Sequence, residues 1–312
     1  MTANPKGFVV FNHQGKGDAY VNALRNAGYK ELAKNPNLKR LPIILTDSDI
    51  LGRKVHLDRY HRGGAKAVFV IPHTARPNIV NDVVDGWEHT TAQFVAARGH
   101  IDVMRAYGYD KPIHATGWTL CPLKRFKPAK TKKPRVLFGP IHPRCSEIDK
   151  QVNRETFERL FKLAKQDAIT LTVRFIRSLK DSGLDTVKHP NVHYTNGWMN
   201  QAYDEIDIHD LIVGHQTFAW LGVARGKPTL MMAERTLKTH IEPRRRPILY
   251  ARHWDSYVDL LAYPLDILEE EDTWGLIQRA CQSDDEIKDW RRRMIGSEFR
   301  PKSFIEFVQK YI

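Results

Sequence analysis

Short apolar runs recur along the chain, each followed by a turn and a helical stretch. Phe8 to Phe11, Leu41 to Leu45, Ala67 to Ile71 and His114 to Gly117 read as buried strands. Between them, Asn12 to Asp18 turns into a helix that runs through Ala27 and ends at Gly28, and Asp49 to His61 and His100 to Ala106 are further helical stretches. The second half repeats the pattern in kind. Val136 to Phe138 predicts a strand, Glu147 to Lys165 a helix, and Thr170 to Ile176 and Asn191 to Tyr194 two more strands. Leu211 to Val213 is a strand that enters a small polar turn and an apolar helix. Gly226-Lys227-Pro228 stops that helix before a strand from Thr229 to Met232. The end of the chain reads as amphipathic helices over Asp285 to Arg293 and Pro301 to Tyr311, the latter with Phe304, Phe307, Val308 and Tyr311 on one face. Strands alternating with helices predict parallel sheets covered on both faces.

Lys124 to Arg135 interrupts this order. The segment is basic, proline-bearing and without period, which predicts an exposed linker between two α/β halves. The expected division is therefore 1–123, the linker 124–135, 136–284, and C-terminal helices over 285–312 that pack back on the first half. Open parallel sheets place ligands at the carboxyl ends of their strands, so two such halves predict a site in the cleft between them.

Charge narrows the class of partner. The 312 residues hold 49 Lys+Arg against 36 Asp+Glu, a formal charge of +13, which predicts an anionic partner: nucleic acid, a nucleotide, a polyphosphate polymer or a membrane face. Cys121, Cys145 and Cys281 are far apart and form no CxxC pair, which argues against a disulfide framework or structural zinc. No signal peptide and no apolar run of the ~18 residues needed to span a bilayer is present, so a cytoplasmic protein is expected.

Candidate chemistry sits at the strand ends. His215, Gln216 and Thr217 lie between a strand and a helix, where outward-pointing backbone N–H groups seat phosphate. His73, followed by Thr74 and Arg76, comes just after the strand ending at Ile71. A neutral imidazole there could take a proton from an attacking hydroxyl. Asp18 competes for that role at the end of Gly15-Lys16-Gly17-Asp18, and its alternative is simply to favour the first turn of a helix. Those glycines stop at Gly-x-Gly, short of a dinucleotide fingerprint, so no nicotinamide cofactor is expected. Arg174 and Arg177 could clamp a diphosphate, although strand alternation sets them on opposite faces. Asp47-Ser48-Asp49 is the only Asp-x-Asp, and it reads as a helix cap and not as a metal site.

The order strand, Gly-His-Gln-Thr, helix, Gly-Lys-Pro, strand over 211–232 resembles the donor-nucleotide unit of GT-B glycosyltransferases, closest to the CDP-glycerol transferase branch. The run from Arg105 to Trp118 is similar to the end of that branch's first domain, and Gly139-Pro140-Ile141-His142 to its Ala-Pro-Thr turn. The resemblance covers roughly half the chain. It implies a GT-B fold of two Rossmann-like parallel-sheet domains facing across a cleft, the first on the acceptor side. It places His142, Arg174, His215, Gln216, Thr217 and Glu234 at the donor and His73 or Asp18 at the acceptor, with Gly15, Lys16, Gly17, Thr74 and Arg76 in the acceptor loops. The chain departs from the pattern twice: the glycine of a His-Gly-Thr is missing after His73, and Leu221 stands where many GT-B enzymes hold a ribose-gripping acid.

The activity implied is transfer of a sugar from a nucleotide-activated donor to a hydroxyl on an anionic acceptor, without metal or other cofactor. DNA carrying a hydroxymethylated base is the favoured acceptor. The alternatives are polyol-phosphate transfer to a cell-wall polymer, or a non-catalytic nucleic-acid-binding protein on a degenerate transferase fold.

Overall fold

The computed structural model describes residues 7–11, 17–32, 43–47, 67–72, 87–129, 131–141, 147–197, 202–232, 263–268, 271–282 and 285–311. The chain divides into two compact units. Described residues up to Leu120 and from Arg292 onward form the first, and those from Cys121 to Met232 and from Tyr263 to Arg291 form the second. Each is built on a parallel sheet, as the alternating pattern predicts.

In the first unit the elements are β1 (Gly7–Phe11), α1 (Asp18–Asn26), β2 (Lys30–Glu31), β3 (Ile43–Asp47), β4 (Ala67–Ile71), β5 (Ala92–Val95), α2 (Arg98–Ala106) and β6 (Ile113–Ala115). The strands order as β2-β1-β3-β4-β5-β6, all parallel, with Phe8 opposite Ile43 and Ile43 opposite Ala67. Winding reverses at β1, because β2 lies on one of its sides and β3 on the other. The helical stretch expected at 49–61 lies outside the described residues, and β2 and β5 are strands that the pattern reading did not assign.

The second unit contains β7 (Arg135–Gly139), α3 (Glu147–Lys165), β8 (Thr170–Phe175), β9 (Val192–Asn196), α4 (Tyr203–Ile208), β10 (Leu211–Gly214), α5 (Gln216–Ala224), β11 (Thr229–Met231) and α6 (Thr273–Gln282). Its parallel order is β11-β10-β7-β8-β9, so the winding reverses between β7 and β10. Two helices close the chain, α7 (Asp285–Met294) and α8 (Pro301–Gln309).

The core of the first unit depends on α8. Phe304 and Val308 are fully buried among Tyr20 and Leu24 of α1, Phe69 of β4 and Phe94 of β5. Each such side chain contributes roughly 1.5–3 kcal/mol by leaving water. The Tyr20 hydroxyl is satisfied inside this core by Thr116 Oγ1 at 2.8 Å. The segment ahead of α8 is sewn to the chain beyond β6: Trp118 N–H donates to the Ser297 carbonyl (2.8 Å) and Arg300 N–H to the Thr116 carbonyl (2.8 Å). Gly117 makes this crossing possible, since its φ is +101° and a β-carbon there would run into the Glu298 carbonyl.

In the second unit, residues 121–127 do not float. Lys124 N–H donates to the Ala224 carbonyl and Lys127 N–H to the Gly226 carbonyl, both at 2.9 Å. The Arg225 guanidinium holds the Pro122 carbonyl at 2.9 Å while pairing with Asp207. The backbone of this basic stretch is thus tied down while Lys124, Arg125 and Lys127 keep their side chains exposed.

Burial of histidine makes stability pH-dependent. His100 of α2 is fully buried, and loss of water pushes its pKa from the ordinary 6.5 to about 4, against a partly compensating hydrogen bond with the Met294 backbone. Burial also lowers His114 and His209. The unfolded chain takes up these protons near pH 6.5 and the folded chain resists them. Stability present above pH 6.5 is therefore lost as pH falls toward 4, by up to about 3 kcal/mol for His100 alone. Denaturant melts at pH 7 and pH 4.5 should show this loss, and a His100→Gln variant should show a shallower one; equal acid sensitivity in both proteins would remove His100 as the cause.

Candidate functional site

The reversal of winding between β7 and β10 fixes where a ligand crevice opens in the second unit, at the carboxyl ends of those two strands. There Gly139 and Gly214 lie opposite one another in register. A β-carbon on either would stand 2.5 Å from the ring of Phe218 in the first turn of α5. The paired glycines therefore let that turn seat its aromatic directly against both strand ends. This brings the start of α5 beside the crevice.

His215 is the N-cap residue of α5, in extended conformation (φ −108°, ψ 144°), with Gln216 and Thr217 at the first two helical positions. No side-chain hydrogen bond caps this end. N–H groups at such positions have no acceptor within their own helix and carry the positive end of its dipole. His215 and Thr217 are half-buried, so this turn offers partly desolvated donors to an anion.

The other wall of the crevice is held by a residue that the pattern reading passed over. Asn153 is fully buried on α3. Its Oδ1 accepts from Ile141 N–H at 2.8 Å, just beyond β7, and its Nδ2 donates to the Ser182 carbonyl at 2.9 Å, in the connection beyond β8. One amide thereby fixes two loops on the carboxyl side of the sheet. The signal lay in α3 itself, where Asn153 and Thr156 interrupt an otherwise apolar stripe of Phe157, Leu160 and Ala164.

Arg174 of β8 is placed differently from a rim residue. It is buried and ion-paired to Glu205 of α4, which also accepts from Thr195 Oγ1 at 3.0 Å. Gly197 leaves room for the guanidinium, because a β-carbon there would stand 2.5 Å from Arg174 Nη2. The same helix continues into His209, whose Nε2 lies 2.9 Å from Thr172 Oγ1. Glu205 and His209, spaced i, i+4, tie α4 to strand β8 and make Arg174 part of a buried network. Arg177 is exposed.

Lys227, in the Gly-Lys-Pro that ends α5, works at the opposite edge of the sheet. Gly226 takes the left-handed conformation (φ +72°), and Lys227 Nζ donates to the carbonyls of Asp207 (2.6 Å) and His209 (2.8 Å), ahead of β10. Burial would raise the Asp207 pKa, but Arg225 and Lys124 outweigh it and hold the carboxyl below its usual range. This basic motif is a structural clamp at the amino ends of β10 and β11.

In the first unit the corresponding reversal of winding lies at β1, whose carboxyl end leads toward Gly17 and Asp18. Gly17 is the N-cap residue of α1 and Asp18 its first helical residue, an exposed acid in the first turn. Gly15, Lys16, His73, Thr74, Arg76, His142 and Glu234 lie outside the described residues, and of Gln216 only the backbone is described. Among the described residues no cluster of three or more His, Cys, Asp or Glu side chains is arranged to hold a metal, and no helix is long and apolar enough to cross a membrane.

No protein-family model matches the chain, and no curated protein matches it. Solved structures do. The chain is similar to Staphylococcus aureus MnaA in a structure with UDP, at TM-score 0.55 and 10% identity over 99% of this chain and 98% of that one. It is similar to the spinosyn rhamnosyltransferase SpnG at TM-score 0.51 and 10% identity, over 97% of this chain and 100% of that one. It spans 55% of the length of S. aureus TarM, with 12% identity and TM-score 0.48. The fold is GT-B, with two Rossmann-like α/β units. The similarity is to the fold as a whole and does not single out the CDP-glycerol branch.

Asn153→Ala should release both loops. Nucleotide diphosphate affinity should weaken while the protein loses on the order of 1–3 kcal/mol of stability from buried groups left unpaired. Calorimetric titration with UDP beside a denaturant melt checks this, and unchanged affinity in a folded variant would show that the two loops do not shape the site. Arg174→Ala should act mainly on folding. It leaves Glu205 partly buried without its partner, a loss on the order of 3–5 kcal/mol for a fully buried pair and less here, where Glu205 is a quarter exposed.

Proposed function

We propose that this chain is a glycosyltransferase that moves a sugar from a nucleotide-activated donor to a hydroxyl on an anionic acceptor. The observation that carries the donor half is the crevice between β7 and β10, where Gly139 and Gly214 admit Phe218 and bring the uncapped start of α5 alongside. A helix N-terminus at a reversal of sheet winding is suited to the diphosphate of a leaving nucleotide. His215 and Thr217 would add side-chain contacts, with His142, Gln216 and Glu234 assigned to the donor by resemblance. The presence of UDP in the MnaA structure supports a nucleotide as the ligand of this fold. Arg174 serves in this reading through the Glu205 network and not as an open phosphate clamp.

On the acceptor side, His73 or Asp18 takes the proton of the attacking hydroxyl as it closes on the anomeric carbon, and the donor's carbon–oxygen bond to phosphate breaks. The exposure of the Asp18 carboxylate at the start of α1 supports its candidacy. Positive backbone dipoles stabilise the departing diphosphate, so activity is expected to survive chelation of divalent ions. The charge of +13 suits an anionic acceptor, and DNA with a hydroxymethylated base is the one favoured here, because phosphate contacts supply affinity without sequence; a cell-wall polymer would meet the same charge.

Release of nucleotide diphosphate from a panel of radiolabelled nucleotide sugars, with and without hydroxymethylated DNA and with and without EDTA, tests the reading. Acceptor-dependent release in both buffers is expected, and no release from any donor would leave a binding protein. Thr217→Val should weaken donor affinity with little effect on stability. His73→Ala should reduce turnover about 10²–10⁴-fold with donor affinity kept, and the same loss on Asp18→Asn alone would transfer the base to Asp18.

A further inference from the structure

Aromatic and basic residues interleave from Phe299 to Tyr311, and the fold sets this stretch against β6 at the edge of the first sheet. β6 ends the strand order, and its central residue, His114, stacks on Phe307 of α8 with ring centroids 4.6 Å apart and planes 13° from parallel. His114 Nε2 lies 2.9 Å from Ser303 Oγ, one turn earlier on the same helix. Lys310 Nζ stands 5.9 Å from the Phe307 ring centroid, and Arg300, just ahead of α8, reaches Ala115 of β6 with one guanidinium nitrogen. Arg300 and Lys310 are both exposed, and among the described residues neither has a carboxylate within ion-pair distance.

We propose that Arg300, Lys310 and His114 form a contact site for the phosphate backbone of DNA, held in place by the stack of His114 on Phe307. The inference rests on the reading of an anionic acceptor and names where part of that acceptor is gripped. Two exposed cations at the two ends of α8, both acting on His114 between them and without a counter-charge among the described residues, are an arrangement that a phosphodiester backbone completes, and exposed guanidinium and ammonium groups at a sheet edge can follow a strand. The imidazole reports on the same field. Burial, Arg300 and Lys310 together push the His114 pKa down, opposed by the contact with Ser303. A bound phosphate would cancel the effect of the two cations and raise it.

The test uses the full-length chain and a mixed-sequence DNA duplex, titrated at several salt concentrations. Wild-type affinity should fall linearly with salt on logarithmic axes, and Arg300→Gln with Lys310→Gln should weaken binding and flatten the slope by about 1.8, at about 0.9 per lost contact. The His114 imidazole, followed by NMR, should titrate at higher pH in the presence of duplex. UDP affinity should be unchanged in the double variant, which separates this site from the donor site and shows that the protein is folded. DNA binding with this response supports the inference whether or not a sugar is ever transferred. Unchanged affinity and slope in the double variant, or no duplex binding at low salt by a protein that still binds UDP, would overturn it. So would tighter binding of poly(glycerol phosphate) than of duplex at matched phosphate concentration.

Discussion

The parallel pairing of β7 with β10 is the constraint on which the second unit turns. Parallel strands need crossovers, and a chain that winds outward from β7 through β8 and β9 must return to the other side of β7 to form β10 and β11. The two crossovers leave in opposite directions, which opens a gap between them at the carboxyl ends of the central pair. Gly139 and Gly214 convert that topological opening into a shaped one, because only a residue without a β-carbon lets Phe218 sit against both strand ends. The position of the α5 N-terminus is thus a consequence of strand order and two missing side chains.

Around that opening the protein concentrates buried polar groups and satisfies them. Asn153 carries two loops, Glu205 holds Arg174 and Thr195, and His209 meets Thr172. Interior polar groups of this kind are costly unless paired, and a paired network resists rearrangement. The rigidity falls where a ligand would need it, between the loops after β7 and β8 and the helix before β10. At the far edge of the sheet, Lys227, Arg225 and Asp207 do the same work for the amino ends of the strands, where no ligand is expected.

Most of the architecture was readable because parallel strands buried on both faces write themselves as short apolar runs. β4 and α3 match their expected limits, and the strands at 135–139, 170–175 and 211–214 differ from theirs by a residue or two. What was missed has a physical reason in each case. β2 has two residues, both exposed, and carries no apolar signal. Within β5, Gln93 is polar yet buried, and it breaks the run. α4 is six residues long and mostly polar, so neither period nor propensity marks it, although it supplies Glu205. The role of Arg174 could not be read from spacing, since its partner lies 31 positions away, beyond strand β9 and its connections. Lys227 shows the converse: a conspicuous basic residue beside a glycine was legible as a helix stop, and the structure gives its ammonium to backbone carbonyls.

The same distinction bears on Leu221, where the GT-B resemblance leads one to look for an acid. α5 is buried along nearly its whole length, with Leu221 only 2% exposed and Gly222 packed close to Ile212 and Thr229. A carboxylate at 221 would have to be desolvated, and among the described residues Arg225, one turn on, is already committed to Asp207 and the Pro122 carbonyl. The leucine is therefore the residue this interior requires, and the absence of an acid is a property of the packing of α5. It is not a sign that the crevice has decayed, since the features that would seat a diphosphate, the paired glycines against Phe218 and the uncapped first turn, lie about one to two turns before position 221. In the proposed reading, sugar or ribose hydroxyls would be met by groups outside α5, which would separate recognition of the donor's phosphates from that of its rings.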